Sequence, residues 1–103
     1  MDAGVANVWE FHVPPPADAE FRRHYGPGGS WADLFRRSHG HIETLLLRDA
    51  ATPGRYLTVD RWESAAAYEA FRERFADEYA LLDARCEKLT TREVALGSFV
   101  VLR

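Results

Sequence analysis

Nineteen consecutive residues, Pro53 to Phe71 (PGRYLTVDRWESAAAYEAF), limit what this chain can fold into, because they spell a turn, a strand, a helix cap and a helix start. Pro53-Gly54 marks the turn. Arg55 to Trp62 is rich in the β-branched and aromatic residues that suit a pleated, half-buried surface. Ser64 can then accept a hydrogen bond from the first free backbone N–H groups of a helix, and Ala65-Ala66-Ala67 has the highest intrinsic helix propensity. A strand is expected to hand over to a helix directly, with Trp62 and Glu63 at the junction.

The rest of the chain falls into place around that segment. Val5 to Val13 (VANVWEFHV) predicts a strand, ended by three prolines that cannot donate to a sheet ladder. Ala17 to Tyr25 reads as a helix broken by Gly26-Pro27-Gly28-Gly29, with Ser30 capping a second piece, Trp31 to Ser38. His41 to Arg48 is the second strand, and Asp49 to Gly54 turns it into the third. From Ser64 one long helix is expected to place Tyr68, Phe71, Phe75, Tyr79, Leu82, Cys86 and Leu89 on a single core stripe. Val94 to Leu102 closes the chain as a strand, with Gly97 marking a bulge or a close approach. The order β-α-β-β-α-β is the ferredoxin-like split βαβ arrangement of the α+β class, a four-stranded antiparallel sheet with both helices on one face.

Composition bounds the partners. At 103 residues the chain is expected to form one domain, residues 1–103, and its net charge of -3, with acids and bases interspersed, gives no basic stripe for nucleic acid or an anionic membrane. Apolar runs fall far short of the roughly 20 residues that span a bilayer. With no basic-then-apolar leader, the chain reads as cytoplasmic. The single cysteine, Cys86, allows no internal disulfide and no cysteine-based metal site. His39, His41 and Glu43 alternate beside Gly40, but the run reads as a solvated strand end, so no metal site is expected. Apolar residues on both faces of the strands leave one sheet face uncovered, and packing two sheets face to face predicts a homodimer.

Several segments together, VWEFHV before the prolines, WADLFRRSHG, PGRYLTVDRWES with AYEAF, and LDARCEKLTTREVALGSF, resemble the antibiotic biosynthesis monooxygenase family of small dimeric α/β barrels. The resemblance implies homodimers with facing sheets and a pocket in each subunit between sheet and helices. It implies two known activities: oxidation of phenols or anthrones of aromatic polyketides to quinones by dioxygen, with no metal or flavin, and haem degradation. By position, Trp62 matches the family's strand-end tryptophan and Tyr68 a pocket tyrosine of the phenol oxidisers. Their strand asparagine is Thr58 here. The haem branch's histidine is replaced by Arg72, which argues against haem.

A cofactor-free oxygenase must deprotonate its substrate, because dioxygen reacts faster with a phenolate than with a phenol. The residues that offer a base are His24, His41 and Asp60, and Tyr25, Trp31, Tyr56, Tyr68 and Trp62 offer aromatic walls with polar tips. Strand alternation puts Tyr56, Thr58, Asp60 and Trp62 on one face. The expected site is therefore Trp62, Tyr68, Thr58 and His24 for catalysis, with Tyr25, Trp31, Tyr56, Asp60 and His41 binding a small aromatic substrate. The Gly26 to Trp31 segment is expected to gate it. Two other readings stand beside the oxygenase: a cyclase, isomerase or dehydratase working by proton transfer, and a non-catalytic small-molecule binder or stabilising partner. Oxygen consumption separates the first from both.

Overall fold

The computed structural model describes residues 2–103. Four strands, β1 (Asp2–His12), β2 (His41–Arg48), β3 (Arg55–Trp62) and β4 (Arg92–Leu102), form one antiparallel sheet in the order β2-β3-β1-β4. That is the ferredoxin-like order. A 3₁₀ turn over Pro15–Ala17 leads from β1 into α1 (Asp18–Tyr25), followed by α2 (Ser30–Arg36); α3 (Ala65–Arg74) and α4 (Ala76–Cys86) follow β3.

Register decides which side chains meet. Thr44 on β2 stands opposite Asp60 on β3, Asp60 opposite Asn7 on β1, and Asn7 opposite Ser98 on β4. Because side chains alternate across a strand, this polar row shares a face with Trp62, Thr58, Tyr56, Trp9 and Phe11. The helices cover that face: Phe11, Tyr56 and Trp62 join Phe21, Trp31, Phe35, Phe71, Phe75, Leu82 and Cys86 in one buried cluster. The opposite face carries Leu45, Leu47, Leu57, Val59, Val8 and Phe99, of which Leu45, Leu47 and Phe99 are exposed. Arg61 with Glu43, at 2.7 Å, and Arg55 with Glu10, at 3.2 Å, lie between them on the same side.

The expected cap at Ser64 is present, its Oγ accepting from the Ala67 N–H at 3.0 Å. Gly97 sits at the expected bulge. Its φ is +136°, and the β1–β4 register slips there, between Val8 opposite Gly97 and Trp9 opposite Ala95. A residue with a Cβ is strained in that conformation.

Three local expectations are corrected. The single long helix is two, since Phe75 leaves the helical region (φ -109°, ψ 29°) between α3 and α4. Arg72 and Arg74 end α3, and Asp77 and Glu78 open α4, so each new terminus carries the charge its dipole favours. Ser30 is the first residue of α2 rather than its cap, because Gly29 occupies the cap position and the Ser30 hydroxyl pairs instead with His24 Nδ1 at 2.8 Å. The first and last strands also start earlier than expected, at Asp2 and Arg92, because the two pair with each other along their length and sheet hydrogen bonds extend them past their most apolar residues.

Candidate active site

The polar row of the sheet forms the floor of a cavity of about 60 Å³ roofed by the helices. Asn7, Thr44, Thr58 and Asp60 face it from the strands; Trp9 and Phe11, also from β1, continue the floor as aromatic surface. The roof is Tyr25 from α1, Trp31 and Phe35 from α2, Tyr68 from α3 and Tyr79 from α4. Exposed Asp83 and Glu93 stand at its mouth. A second, wider groove of about 660 Å³ lies by the β2–β3 turn, where Tyr56 donates to Asp18 and accepts from Arg22 at 3.0 Å. There Tyr56, Asp18 and Arg22 satisfy one another, whereas in the first cavity only one oxygen of Asp60 is bonded.

Asp60 is the clearest of these. Thr44 Oγ1 donates to Asp60 Oδ1 at 2.8 Å, and His41 Nε2 lies 3.0 Å from Thr44 Oγ1. Since the hydroxyl has one hydrogen and gives it to the carboxylate, Nε2 carries its own proton and donates in turn. Among the described residues no cation pairs with Asp60. Burial therefore pushes its carboxyl up to about 6, with the Thr44 hydrogen bond opposing the rise. Burial and the Arg36 charge pull the His41 imidazole below its ordinary value. On the roof, burial raises the phenols of Tyr25 and Tyr79, Tyr79 to about 12. Arg72 packs 3.8 Å above the Tyr79 ring and donates to the Tyr68 hydroxyl at 3.3 Å.

Two buried indole N–H groups, of Trp31 and Trp62, lack partners among the described residues. An unmade buried hydrogen bond costs about 1–3 kcal/mol. Trp31 lines the cavity. Trp62 is fully buried one layer behind it, its ring centroid 5.6 Å from Phe35 and 5.3 Å from Tyr68, which do line the wall.

Of the nine residues expected at the site, Tyr25, Trp31, Thr58, Asp60 and Tyr68 reach the cavity wall. His41 acts on Asp60 only through Thr44, and Tyr56 is turned into the second groove by Asp18 and Arg22. His24 is removed from the cavity, held by Ser30 at 2.8 Å and facing Glu20 at 3.8 Å. Asn7 and Thr44 are not among the expected residues. Their signal is a polar residue at an inward position of an otherwise apolar strand, and only register shows that the two flank one carboxylate.

Fold and cavity define a small ferredoxin-like α+β protein with an aromatic-roofed pocket between sheet and helices. The antibiotic biosynthesis monooxygenase family profile matches residues 4–76, and the chain belongs to that family. Solved structures share its fold. SnoaB, a cofactor-independent oxygenase from Streptomyces nogalater, is 20% identical with a TM-score of 0.70, covering 100% of this chain and 96% of its own. A Deinococcus radiodurans protein carrying the same family designation is 16% identical with a TM-score of 0.76, over 96% of this chain and 93% of its own. A MhuD variant with two manganese protoporphyrin IX molecules per active site is 25% identical with a TM-score of 0.70, over 96% and 95%. A search of curated proteins found no match. No helix among the described residues is long and apolar enough to cross a membrane.

Proposed function

We propose that this chain, acting as one domain in a cytoplasmic homodimer, is a cofactor-independent monooxygenase that oxidises a phenolic or anthrone-like, polyketide-type aromatic to a quinone. The observation that carries this reading is one partly buried carboxylate set in the polar floor of a cavity whose roof is aromatic. Stacking walls suit a flat ring system, and the carboxylate suits removal of its acidic proton. The chemistry balances without a reductant: a ring CH₂ and dioxygen give C=O and water, the substrate supplying all four electrons. SnoaB, of like fold, is a cofactor-independent oxygenase. The family's haem branch fits less well, because Arg72 stands where that branch has histidine and is engaged with Tyr68 and Tyr79.

A cavity of about 60 Å³ is small beside the ~300–1,000 Å³ of ligand pockets. Substrate access therefore requires the roof to part, and Gly26 to Trp31, between two roof residues, is the segment we assign to that motion. Its amides should exchange faster than those of α4 and slow when an aromatic binds; equal protection with no response would remove the gate. The homodimer is supported by the open sheet face, where Leu45, Leu47 and Phe99 lie exposed. Proton-transfer chemistry, as in a cyclase, isomerase or dehydratase, would use the same carboxylate. Oxygen uptake with 1,8-dihydroxyanthrone decides between them: product formed without oxygen consumption would favour proton transfer, and binding with no reaction would favour a non-catalytic binder.

A further inference from the structure

We infer that Asp60 is the general base of this pocket, and that Thr44 and His41 are its positioning residues. The inference rests on the oxygenase reading for its substrate class, but not for its geometry. A donor chain runs in one direction, from His41 Nε2–H to Thr44 Oγ1 and from Thr44 Oγ1–H to Asp60 Oδ1, with links of 3.0 and 2.8 Å. The chain reaches β3 from the neighbouring strand β2, so sheet register fixes the carboxylate's orientation. Oδ1 is thereby committed. Oδ2 carries no protein hydrogen bond among the described residues, on a residue that lines the cavity.

The surroundings leave Asp60 without competition. From β1 it faces Asn7, whose Oδ1 already accepts from Ser98 at 2.5 Å. Tyr25, Tyr68 and Tyr79 face the cavity from α1, α3 and α4, and Arg72 is turned to the two last of these. Asp83 and Glu93 are at the solvent-exposed mouth. The other histidine proposed as a base, His24, is tied to Ser30 outside the cavity. Burial raises the Asp60 carboxyl to about 6, which leaves it ionised at neutral pH yet basic enough to take a proton. In the step, the acidic bond of the phenol or anthrone breaks, its proton moves to Asp60 Oδ2, and its electron pair remains on the substrate as a delocalised anion. After dioxygen has reacted with that anion, Asp60 returns the proton toward the water that leaves.

The test uses 1,8-dihydroxyanthrone with wild type, Asp60→Asn and Thr44→Val. Without oxygen, exchange of the acidic hydrogens of the bound compound with deuterated water reports proton transfer directly. Wild type should accelerate this exchange with an acidic limb whose midpoint lies near pH 6, Asp60→Asn should lose the acceleration, and Thr44→Val should keep it with the midpoint moved upward. With oxygen, uptake by Asp60→Asn should fall on the order of 10²–10⁴-fold. Exchange equally fast in wild type and Asp60→Asn, or no faster with wild type than in buffer, overturns the assignment. An unmoved midpoint in Thr44→Val overturns the positioning role. If wild type accelerates the exchange but consumes no oxygen, the base stands and the oxygenase reading falls.

Discussion

Thr44 and Asp60 face each other across β2 and β3, the threonine hydroxyl giving its one hydrogen to the carboxylate at 2.8 Å. This contact lies beneath an aromatic roof, in a row that continues through Asn7 and Ser98 to the far edge of the sheet. A sheet row facing helices is ordinarily apolar, and a polar one there lowers stability unless it is fully paired. Asp60 is only half paired, and its cost is measurable.

Asp60→Asn should stabilise the protein at neutral pH. The folded-state carboxyl titrates at about 6 against an ordinary 3.8, so the fold holds its proton more tightly than the unfolded chain does. Such a group lowers stability as pH rises between those two values and leaves it untouched below them. Each pH unit separating the folded and unfolded titrations corresponds to about 1.36 kcal/mol, so above pH 7 asparagine should gain on the order of 2 kcal/mol once residual solvent contact is allowed for. Melting temperatures at pH 4 and pH 7.5 check this: the variant should match wild type at the first and exceed it at the second. A variant less stable at both would refute it.

Trp62→Phe and Tyr68→Phe test the family positions. Trp62 is fully buried with an unpartnered N–H, and Tyr68 lines the cavity. Under the oxygenase reading Tyr68→Phe should lose on the order of 100-fold in oxygen uptake while melting within a few degrees of wild type, as expected when a preorganised donor to a developing oxyanion is removed, whereas Trp62→Phe, behind the wall, should change uptake only as far as it changes stability. Full activity in Tyr68→Phe, or inactivity explained by unfolding alone, would return Tyr68 to the core, and a large loss of uptake in a stable Trp62→Phe would show that Trp62 reaches the substrate.

Two neighbouring glycines should respond differently to alanine. A Cβ on Gly29 would lie 2.5 Å from the Arg23 carbonyl oxygen and 2.7 Å from that of His24, whereas on Gly28 it would meet nothing within 4 Å. The obstacles at Gly29 are α1 backbone and cannot rotate aside. Gly29→Ala should cost about 1–3 kcal/mol by overpacking, and Gly28→Ala should be near neutral. Denaturant titration of both variants reads the difference, and equal midpoints would contradict the close approach.

The homodimer should depend on the open sheet face. Phe99 is 51% exposed there, so Phe99→Glu removes little from this subunit's own core. Light scattering at micromolar concentration should give twice the chain mass for wild type and a single chain mass for the variant, with the melting curve of the variant still cooperative. A wild-type monomer would end the facing-sheet proposal.

The sequence alone determined the β2–β3 hairpin, the Ser64 cap, the strand-to-helix handover and the bulge at Gly97. Each is set by residues near in sequence, through turn chemistry, capping or alternation. It also placed Tyr56, Thr58, Asp60 and Trp62 on one face, since period two needs no knowledge of partners. Tertiary structure alone decided which of them meet the cavity. Trp62 is sealed behind Phe35 and Tyr68, Tyr56 is drawn to Asp18 and Arg22, and Asp60 acquires Thr44 from 16 residues away. Helix packing and strand register create those neighbours, and register depends on the pairing of whole strands, which no single segment encodes. The break at Phe75 belongs to the same class: the apolar stripe runs through it unbroken, and only the change from basic to acidic residues around it marks where one helix ends and the next begins.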